Sequence, residues 1–183
     1  MTATRVDRAA LVRRGLIEVV AEEGLQGASM SLVARRAGVA TGTAYVHYDS
    51  KEELLLAAFA EVKGALGNAA LSGVTEEMLP RETFEKVWRN CYDFLRNDPA
   101  TAVFLLQVEA SPLRSLAHGS LPGDDPLTGA ADRLSEHLVD LPGELLYELG
   151  LAPAVRLAAT HQDLTDEQLA TMIRSCWNAV RAM

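Results

Sequence analysis

Residues 29–48 have the sequence SMSLVARRAGVATGTAYVHY, and this stretch predicts two short helices joined by a tight turn. Val33, Ala34 and Ala37 fall at helical spacing on one face of the first helix, and Gly38 follows where the chain must leave that helix in a left-handed conformation. The second helix carries small hydroxyl and aromatic side chains, which suit a helix that lies in a groove: Thr41, Gly42, Thr43, Tyr45 and His47. The spacing predicts a helix-turn-helix, although an ordinary pair of core helices can show the same pattern.

A further helix is predicted to begin at Lys51, directly after this stretch. Ser50 and Glu53 have the spacing of a capping box, in which the serine hydroxyl accepts from the Glu53 amide and the glutamate carboxylate reaches back to the cap residue. The apolar spacing that follows predicts a long helix over 51–70.

The run from Ser29 to Leu55 closely resembles the DNA-binding domain of the TetR family of bacterial transcriptional regulators. The residues that carry the resemblance stand at the family's spacing without a gap: Ala34, Ala37, Gly38, Val39, Gly42, Thr43, Tyr45, Tyr48, Ser50, Lys51 and Glu52. It covers about the first third of the chain. The resemblance implies an all-α protein with a three-helix DNA-binding domain at residues 1–50, to which the first turn of the helix from Lys51 contributes functionally. A helical effector-binding and dimerisation domain at residues 51–183 is then expected to follow.

The resemblance also implies the residues that contact DNA: Ser29, Arg35, Thr41, Gly42, Thr43, Tyr45, His47 and Lys51. We expect Tyr45, Thr43 and Lys51 to contact phosphates, and Thr41 and His47 to face base edges. Two residues depart from the family pattern, because Ala40 stands where a capping Ser or Thr is common and Thr41 stands where Lys or Arg is common. Sequence recognition is therefore expected to use short side chains and DNA shape.

Composition agrees with a helical protein. The chain has 183 residues, of which 49% are hydrophobic and only 5% aromatic, and it is rich in Ala and Leu. Two distant cysteines do not predict a disulfide framework, no apolar run approaches a membrane span, and the charged N-terminus lacks a signal-peptide core. A cytoplasmic location without membrane contact is expected.

The charge of the chain is divided unevenly. Residues 1–60 hold seven basic and seven acidic side chains, so the remaining residues carry the whole net charge of −8. A neutral, arginine-containing N-terminal part can lie on phosphates, whereas an acidic remainder is repelled by them.

Beyond residue 70, the apolar spacing and the positions of Gly and Pro predict several further helices. The expected ranges are 81–96, 99–110, 127–141, 144–149 and 153–162, with an earlier helix over 5–23 and a loop over 111–126. A second capping box, from Thr165 to Gln168, starts a C-terminal helix with a wide apolar face. That face belongs either to the protein's own core or partly to a second subunit. The resemblance implies a homodimer on an inverted-repeat DNA operator.

An effector pocket is the expectation that depends least on any motif. Aromatic and polar side chains concentrate in the middle of the chain, and they are candidate lining residues for an unknown, mainly apolar small molecule: Phe59, Trp88, Tyr92, Phe104, Gln107, Val108 and His118. Each of them is equally compatible with an ordinary core.

No catalytic residue, metal site or cofactor is predicted. The four histidines stand far apart, and the adjacent Asp124 and Asp125 fit a solvated turn better than a metal site. No phosphate-binding glycine loop or nucleophile elbow is present. The preferred prediction is a ligand-released DNA-binding repressor. The alternatives are a small all-α ligand-binding protein or enzyme without DNA binding, and a constitutive DNA-binding protein without an effector.

Overall fold

The computed structural model of the chain describes residues 7–121, 134–160 and 164–182. In these ranges the regular structure is helical, as the sequence predicted, apart from a single antiparallel bridge between Leu138 and Arg181. The helices are α1 Arg8–Gly27, α2 Met30–Arg36, α3 Thr41–His47, α4 Lys51–Ala70, α5 Pro80–Arg96, α6 Pro99–Glu109, α7 Arg114–Gly119, α8 Gly143–Gly150, α9 Ala152–Ala159 and α10 Asp166–Val180.

The chain divides into two compact units. Unit 1 comprises residues 1–62 and 103–121, and unit 2 comprises residues 63–102 and 122–183. The division falls within α4 and within α6, so each of these helices contributes residues to both units.

In unit 1, helix α1 forms the base on which α2 and α3 pack. The apolar stripe expected for α1 is fully buried: Val12, Leu16, Val19 and Val20. A Cβ added at Gly15 would lie 3.0 Å from the Val33 carbonyl oxygen and 3.1 Å from the Ala37 Cβ. The close approach of α1 and α2 therefore requires glycine at this position.

The expected end of the first helix at Gly24 is confirmed as a break in its regular part. Gly24 adopts φ 76°, a left-handed conformation, and a short further turn continues to Gly27. The helix begins at Arg8, where the Asp7 carboxylate accepts from the Ala10 amide at 3.1 Å.

In unit 2, α5 packs against α9 and α10, and α8 contacts α9 and α10. The Trp88 indole lies at the centre, fully buried, and its Nε1 donates to the Gly150 carbonyl at 3.0 Å. Phe84 and Trp177 pack with ring centroids 5.3 Å apart and join α5 to α10. The apolar face of α10 is thus part of this unit's own core.

Most of the predicted helices are confirmed within a residue or two, including α4, α5, α6, α8 and the capping box of α10. The predicted helix over 153–162 ends at Ala159, where the Thr160 hydroxyl donates to the Arg156 carbonyl at 2.8 Å. The predicted loop over 111–126 was wrong in part, because residues 114–119 form α7.

The predicted helix over 127–141 was wrong in its second half, and residues 127–133 lie outside the described residues. Ser135–His137 form a single 3₁₀ turn, and the backbone is extended at Leu138. Here the Val139 amide donates to the Val180 carbonyl and the Ala182 amide to the His137 carbonyl, both at 2.8 Å. Pairing with the end of α10 satisfies these backbone groups, so no helix is needed.

Candidate nucleic-acid interface

Helix α2 is held by its cap and by the apolar face predicted for it. The Ser29 hydroxyl accepts from the Leu32 amide at 3.3 Å, so Ser29 is the N-cap residue. Val33 and Ala34 are completely buried. Arg35 lies on the exposed face, and no described residue forms a hydrogen bond or ion pair with it.

Arg36, beside it, is differently engaged. Its guanidinium donates to the Glu22 carboxylate of α1, with one Nη to Oε1 distance of 2.6 Å. The hydrogen bond from Arg36 lowers the pKa of the Glu22 carboxyl below its ordinary value. Arg36 thus joins α2 to α1, which leaves Arg35 as the arginine of α2 that is available to a partner.

The turn between α2 and α3 has the conformation that the sequence predicted. Gly38 adopts φ 68°, and the Val39 amide donates to the Ala34 carbonyl at 3.0 Å. A Cβ at Gly38 would have nothing within 4 Å, so backbone conformation and not space demands glycine here.

Helix α3 presents most of its side chains outward. Ala44 is its only fully buried residue, whereas Tyr45 is 51% and Val46 81% exposed. Gly42 and His47 are also exposed, and Thr41 and Thr43 are half-buried. Helix α3 therefore contributes little to the core of unit 1 beyond Ala44.

Val46 is absent from the predicted DNA contacts. The signal that could have found it was local, because its neighbours Tyr45 and His47 were both predicted to contact DNA. A helix with a single small anchoring residue must expose the positions around it.

The start of α3 has no side-chain cap. Ala40 occupies the N-cap position and Thr41 is already the first helical residue. Thr41 therefore does not replace the missing cap one residue later.

An ion-pair cluster fixes the end of this region. The Tyr48 side chain is 7% exposed, and its hydroxyl accepts from Nη1 of Arg13 at 2.6 Å. The Arg13 Nε pairs with the Glu61 carboxylate of α4. Burial lowers the pKa of Arg13, but the hydrogen bonds to Tyr48 and Glu61 outweigh it, so the pKa is raised overall. Tyr48 thus links α1 to the end of the helix-turn-helix.

The capping box before α4 differs in one contact from the prediction. The Ser50 hydroxyl accepts from the Glu53 amide at 3.1 Å, as expected, but the Glu53 carboxylate accepts from the Asp49 amide at 2.7 Å. The expected bond to the Ser50 amide was wrong. The carboxylate reaches one residue further back and satisfies the amide that precedes the cap.

Lys51 and Gln107 both hold the C-terminal end of α1. The Lys51 Nζ donates to the Leu25 carbonyl at 3.2 Å. The Gln107 amide nitrogen donates to the Val20 carbonyl at 2.9 Å, and its oxygen accepts from the Leu25 amide at 3.1 Å. Gln107 of α6 thus bonds backbone groups on both sides of the break at Gly24, and Lys51 of α4 bonds the Leu25 carbonyl.

The predicted pocket residues fall into the two units. Five of them belong to unit 1: Phe59, Phe104, Gln107, Val108 and His118. Phe59, Phe104 and Val108 are fully buried, and the His118 ring packs edge-on against Phe59 with centroids 5.4 Å apart. The His118 Nε2 lies 2.9 Å from the Glu109 carboxylate.

The other two, Trp88 and Tyr92, belong to unit 2. Their rings stack with centroids 5.7 Å apart, and both are buried. An open depression of about 420 Å³ also belongs to unit 2, but none of the predicted residues lines it; residues 79–81, 136–137, 177 and 181–182 do. The assignment of these side chains to an effector pocket stays a prediction.

Within the described ranges, no group of three or more His, Cys, Asp or Glu side chains is placed to hold a metal ion. Asp124 and Asp125 lie outside those ranges. None of the described helices is long and apolar enough to cross a membrane.

Models of known protein families match two parts of the chain. Residues 14–58 match the family described as bacterial regulatory proteins, tetR family, and residues 80–181 match the tetracyclin repressor-like C-terminal domain. The chain is 28% identical to an uncharacterized HTH-type transcriptional regulator of Haemophilus influenzae, over 99% of this chain and 100% of that protein.

Two further similarities agree. The fatty acid metabolism regulator protein of Bacillus subtilis is 30% identical over 48% of this chain and 45% of that protein. The crystal structure of a TetR-family transcriptional regulator from Haemophilus influenzae superposes with a TM-score of 0.79 at 26% identity, covering 99% of this chain and 100% of that one.

The fold and the family matches define a DNA-binding transcriptional regulator of the helix-turn-helix class. The two family matches, which together cover the helix-turn-helix and most of the remaining chain, are specific. The protein belongs to the TetR family of bacterial transcriptional regulators.

Proposed function

We propose that the protein is a cytoplasmic repressor that binds an inverted-repeat operator as a homodimer and leaves it when a small, mainly apolar molecule binds. The observation that carries the DNA-binding part is the surface of α3, on which a single buried alanine anchors a row of exposed side chains. The neutral charge of residues 1–60, against −8 for the remainder, favours the approach of this surface to phosphates.

The residues proposed to contact DNA keep the roles that the sequence suggested. Thr43, Tyr45 and Lys51 contact phosphates, and Thr41 and His47 reach base edges, while Ser29, Arg35 and Gly42 are further DNA contacts. The exposure of Arg35, Tyr45 and His47 supports this assignment. Lys51 already donates to Leu25, but an ammonium has three donors and can bind a phosphate oxygen as well.

Gly42 offers a direct test of the interface. A Cβ at Gly42 would meet nothing within 4 Å, so the fold itself does not need glycine there. Gly42→Ala is expected to leave stability unchanged or raise it by up to about 1 kcal/mol. We expect it to weaken DNA binding, because the added methyl group lies where the phosphate backbone approaches α3.

Gly64 provides the matched control, since it too lies within a helix and its Cβ would meet nothing within 4 Å. The measurement is a gel shift with DNA from the region upstream of the protein's own gene. Gly64→Ala should bind this DNA as the unchanged protein does. Equal binding by both variants would remove α3 from the interface, and no binding by the unchanged protein would count against this target.

The dimer proposal needs a surface that the protomer's own core does not use. Ile173 and Trp177 are 3% and 8% exposed within one protomer, so charges placed there would test folding and not dimerisation. The opposite face of α10 is exposed at Arg174, Ser175 and Asn178, which follow one another at helical spacing. We expect the partner to cover this face, since a homodimer sets two recognition helices about 34 to 36 Å apart on DNA.

Arg substitutions test this surface. Ser175→Arg and Asn178→Arg should shift the protein to monomers in analytical ultracentrifugation and weaken its binding to an inverted repeat. Ala65→Arg, on the exposed face of α4, is the control and should remain dimeric. A monomer that still binds the inverted repeat tightly would contradict the proposal.

Release by a ligand requires that ligand binding changes the position of the helix-turn-helix. The Gln107 side chain is a candidate for transmitting that change. It lies in α6, which contributes residues to both units, and its two hydrogen bonds hold the end of α1. Movement of α6 would therefore disturb α1, on which α2 and α3 pack. The name of the Bacillus subtilis relative, a fatty acid metabolism regulator, supports an apolar metabolite as the effector.

A screen of apolar compounds tests the release. Compounds that quench the fluorescence of Trp88 should also free the operator, by the ratio of their affinities for the two states. Compounds that bind without any change in DNA affinity would favour a regulator that acts on DNA constitutively.

A further inference from the structure

The open depression of about 420 Å³ in unit 2 has no role in the function proposed above. Three segments of the chain line it: residues 79–81 at the start of α5, residues 136–137, and residues 177 and 181–182 at the end of α10. Pockets for small molecules measure about 300–1,000 Å³, so the depression is large enough for a small organic ligand.

Contacts within unit 2 hold these three segments together. The packed rings of Phe84 and Trp177 join the first part of α5 to the end of α10. The Arg181 amide donates to the Trp177 carbonyl at 2.9 Å, and the Ala182 amide donates to the His137 carbonyl at 2.8 Å. The walls of the depression are therefore fixed by the fold of one unit.

The Trp177 side chain brings an unused hydrogen-bond donor to the depression. Trp177 is only 8% exposed, and its Nε1 forms no hydrogen bond with any described residue. Among the described residues, every fully buried side-chain nitrogen or oxygen has a partner, so this nitrogen must be reached by solvent. Since Trp177 lines the depression, its indole N–H is available to a ligand bound there.

Two arginines give the depression an excess of positive charge. Arg181 is exposed, and no described residue forms a hydrogen bond or an ion pair with its guanidinium. Arg81 uses its Nε to bind the Glu85 carboxylate at 2.7 Å, which leaves its two Nη groups as donors. Glu136 is the single acidic residue among the described residues that line the depression. This arrangement favours an anion, and a guanidinium matches a carboxylate in shape.

The rest of the lining is apolar. Leu79 is 65% exposed, which is unusual for a large aliphatic side chain, and Pro80 follows it. The Trp177 indole adds aromatic surface next to its own N–H. An inorganic anion would leave this apolar surface in water, whereas an organic anion with a flat apolar part would cover it.

We propose that the depression binds a small aromatic carboxylate. Arg81, Arg181 and the Trp177 indole N–H donate to the carboxylate, and the aromatic part lies against Leu79 and Pro80. None of the residues predicted to line an effector pocket lines this depression, so the proposal does not rest on the function proposed above.

The first test compares two probes that differ only in the head group, 2-naphthoate and 2-naphthamide, by calorimetric titration of the full chain at neutral pH. The carboxylate is expected to bind roughly 10- to 100-fold more tightly than the amide, the range of a charge-assisted hydrogen bond. The double variant Arg81→Gln/Arg181→Gln should remove that preference. Leu79→Ala should instead weaken both probes alike, by roughly 3- to 10-fold, because it removes apolar contact only.

The matched control for the loss of two charges is Arg89→Gln/Arg174→Gln. Both of these arginines are exposed, on α5 and α10 respectively, and neither lines the depression. This variant should keep the preference for 2-naphthoate.

A second test locates the ligand without any substitution at the site. The chain contains two tryptophans, so a nitrogen–proton NMR spectrum has two indole signals. Addition of 2-naphthoate should shift the Trp177 signal and leave the Trp88 signal in place, because the Trp88 indole is fully buried and donates to Gly150. Trp177→Phe assigns the two signals.

Four results would overturn the proposal. They are equal affinity of the unchanged protein for the two probes, binding of neither probe, a preference that survives in Arg81→Gln/Arg181→Gln, and a shift of the Trp88 signal while that of Trp177 stays in place. The last result would place the ligand at the predicted effector-pocket residues instead.

Discussion

Helices α3 and α10 are built in opposite ways. Helix α3 has seven residues, no side-chain cap and one fully buried residue, Ala44. Helix α10 has fifteen residues, a complete capping box at Thr165 and five buried side chains. Short isolated helices are marginal in water, so α3 depends on α1 and α2 for its position, whereas α10 contributes to the core of its own unit. The difference agrees with the proposal that α3 binds DNA, whereas the buried face of α10 holds its own unit together.

The largest expected effect tests the core role of α10. Ile173→Ala should lower the free energy of unfolding by about 2–5 kcal/mol, because it leaves a cavity at a side chain that is buried. Urea denaturation followed by circular dichroism measures the change. Val46→Ala in α3 is the control, since Val46 is 81% exposed, and its cost should stay below about 0.5 kcal/mol. Similar losses of stability in both variants would show that the two helices do not differ in their contribution to the core.

The next effect concerns the DNA contact of α3. Tyr45→Phe removes a hydroxyl proposed to bind phosphate, so affinity should fall by about 1.5–3 kcal/mol on every DNA sequence alike. Fluorescence anisotropy with operator and random DNA measures both affinities. Stability should not change, because Tyr45 is half exposed. A change of operator preference with intact non-specific affinity would contradict the assignment to phosphate.

Tyr48→Phe sharpens this test within the same region. The Tyr48 hydroxyl accepts from the Arg13 guanidinium inside the protein, so its loss should reduce stability by about 1.5–3 kcal/mol, the range of a hydrogen bond to a charged group. The two tyrosines thus separate a contact to DNA from a contact within the fold.

A smaller effect is expected at the cap of α10. Thr165→Ala removes the hydroxyl that accepts from the Gln168 amide and should cost about 1 kcal/mol of stability. Thermal unfolding measures it, with Thr171→Ala on the exposed face of the same helix as the control. If Thr171→Ala cost as much, the loss would reflect the threonine and not the cap.

The smallest expected effect is a gain at α3. Ala40→Ser adds the missing cap and should stabilise the helix by about 0.5–1 kcal/mol. Hydrogen exchange of the Thr43 and Ala44 amides should slow accordingly, while the amides of α10 keep their rates. Unchanged exchange in α3 would mean that packing against α1 already fixes its first turn.

Local signals accounted for the parts of the fold that sequence reasoning found. Gly38, the Ser29 cap and the Thr165 capping box act within a few residues, so the sequence reveals α2, its turn and the start of α10. The extended residues after His137 were missed because their partners lie in the backbone at Val180 and Ala182, more than 40 residues away.

In the candidate sites, too, local signals could be read from the sequence and long-range contacts could not. The exposed positions of α3 were predictable from the anchoring role of Ala44, and Val46 was overlooked although that signal was present. The hydrogen bonds of Gln107 to Val20 and Leu25, and the grouping of Arg81 with Arg181 in one depression, depend on residues far apart in the chain. No spacing motif records such contacts, and neither arrangement could be derived from the sequence.

The two cysteines have a practical consequence. Cys91 and Cys176 are free thiols, both are buried, and burial raises the pKa of each. Only the thiolate reacts with maleimides and similar reagents, so both native cysteines should label slowly in the folded protein. A single cysteine introduced at the exposed Asp49, beside the helix-turn-helix, would carry a spectroscopic label without removal of either native thiol. The protein is therefore ready for distance measurements between the two recognition regions of the proposed dimer, with and without ligand.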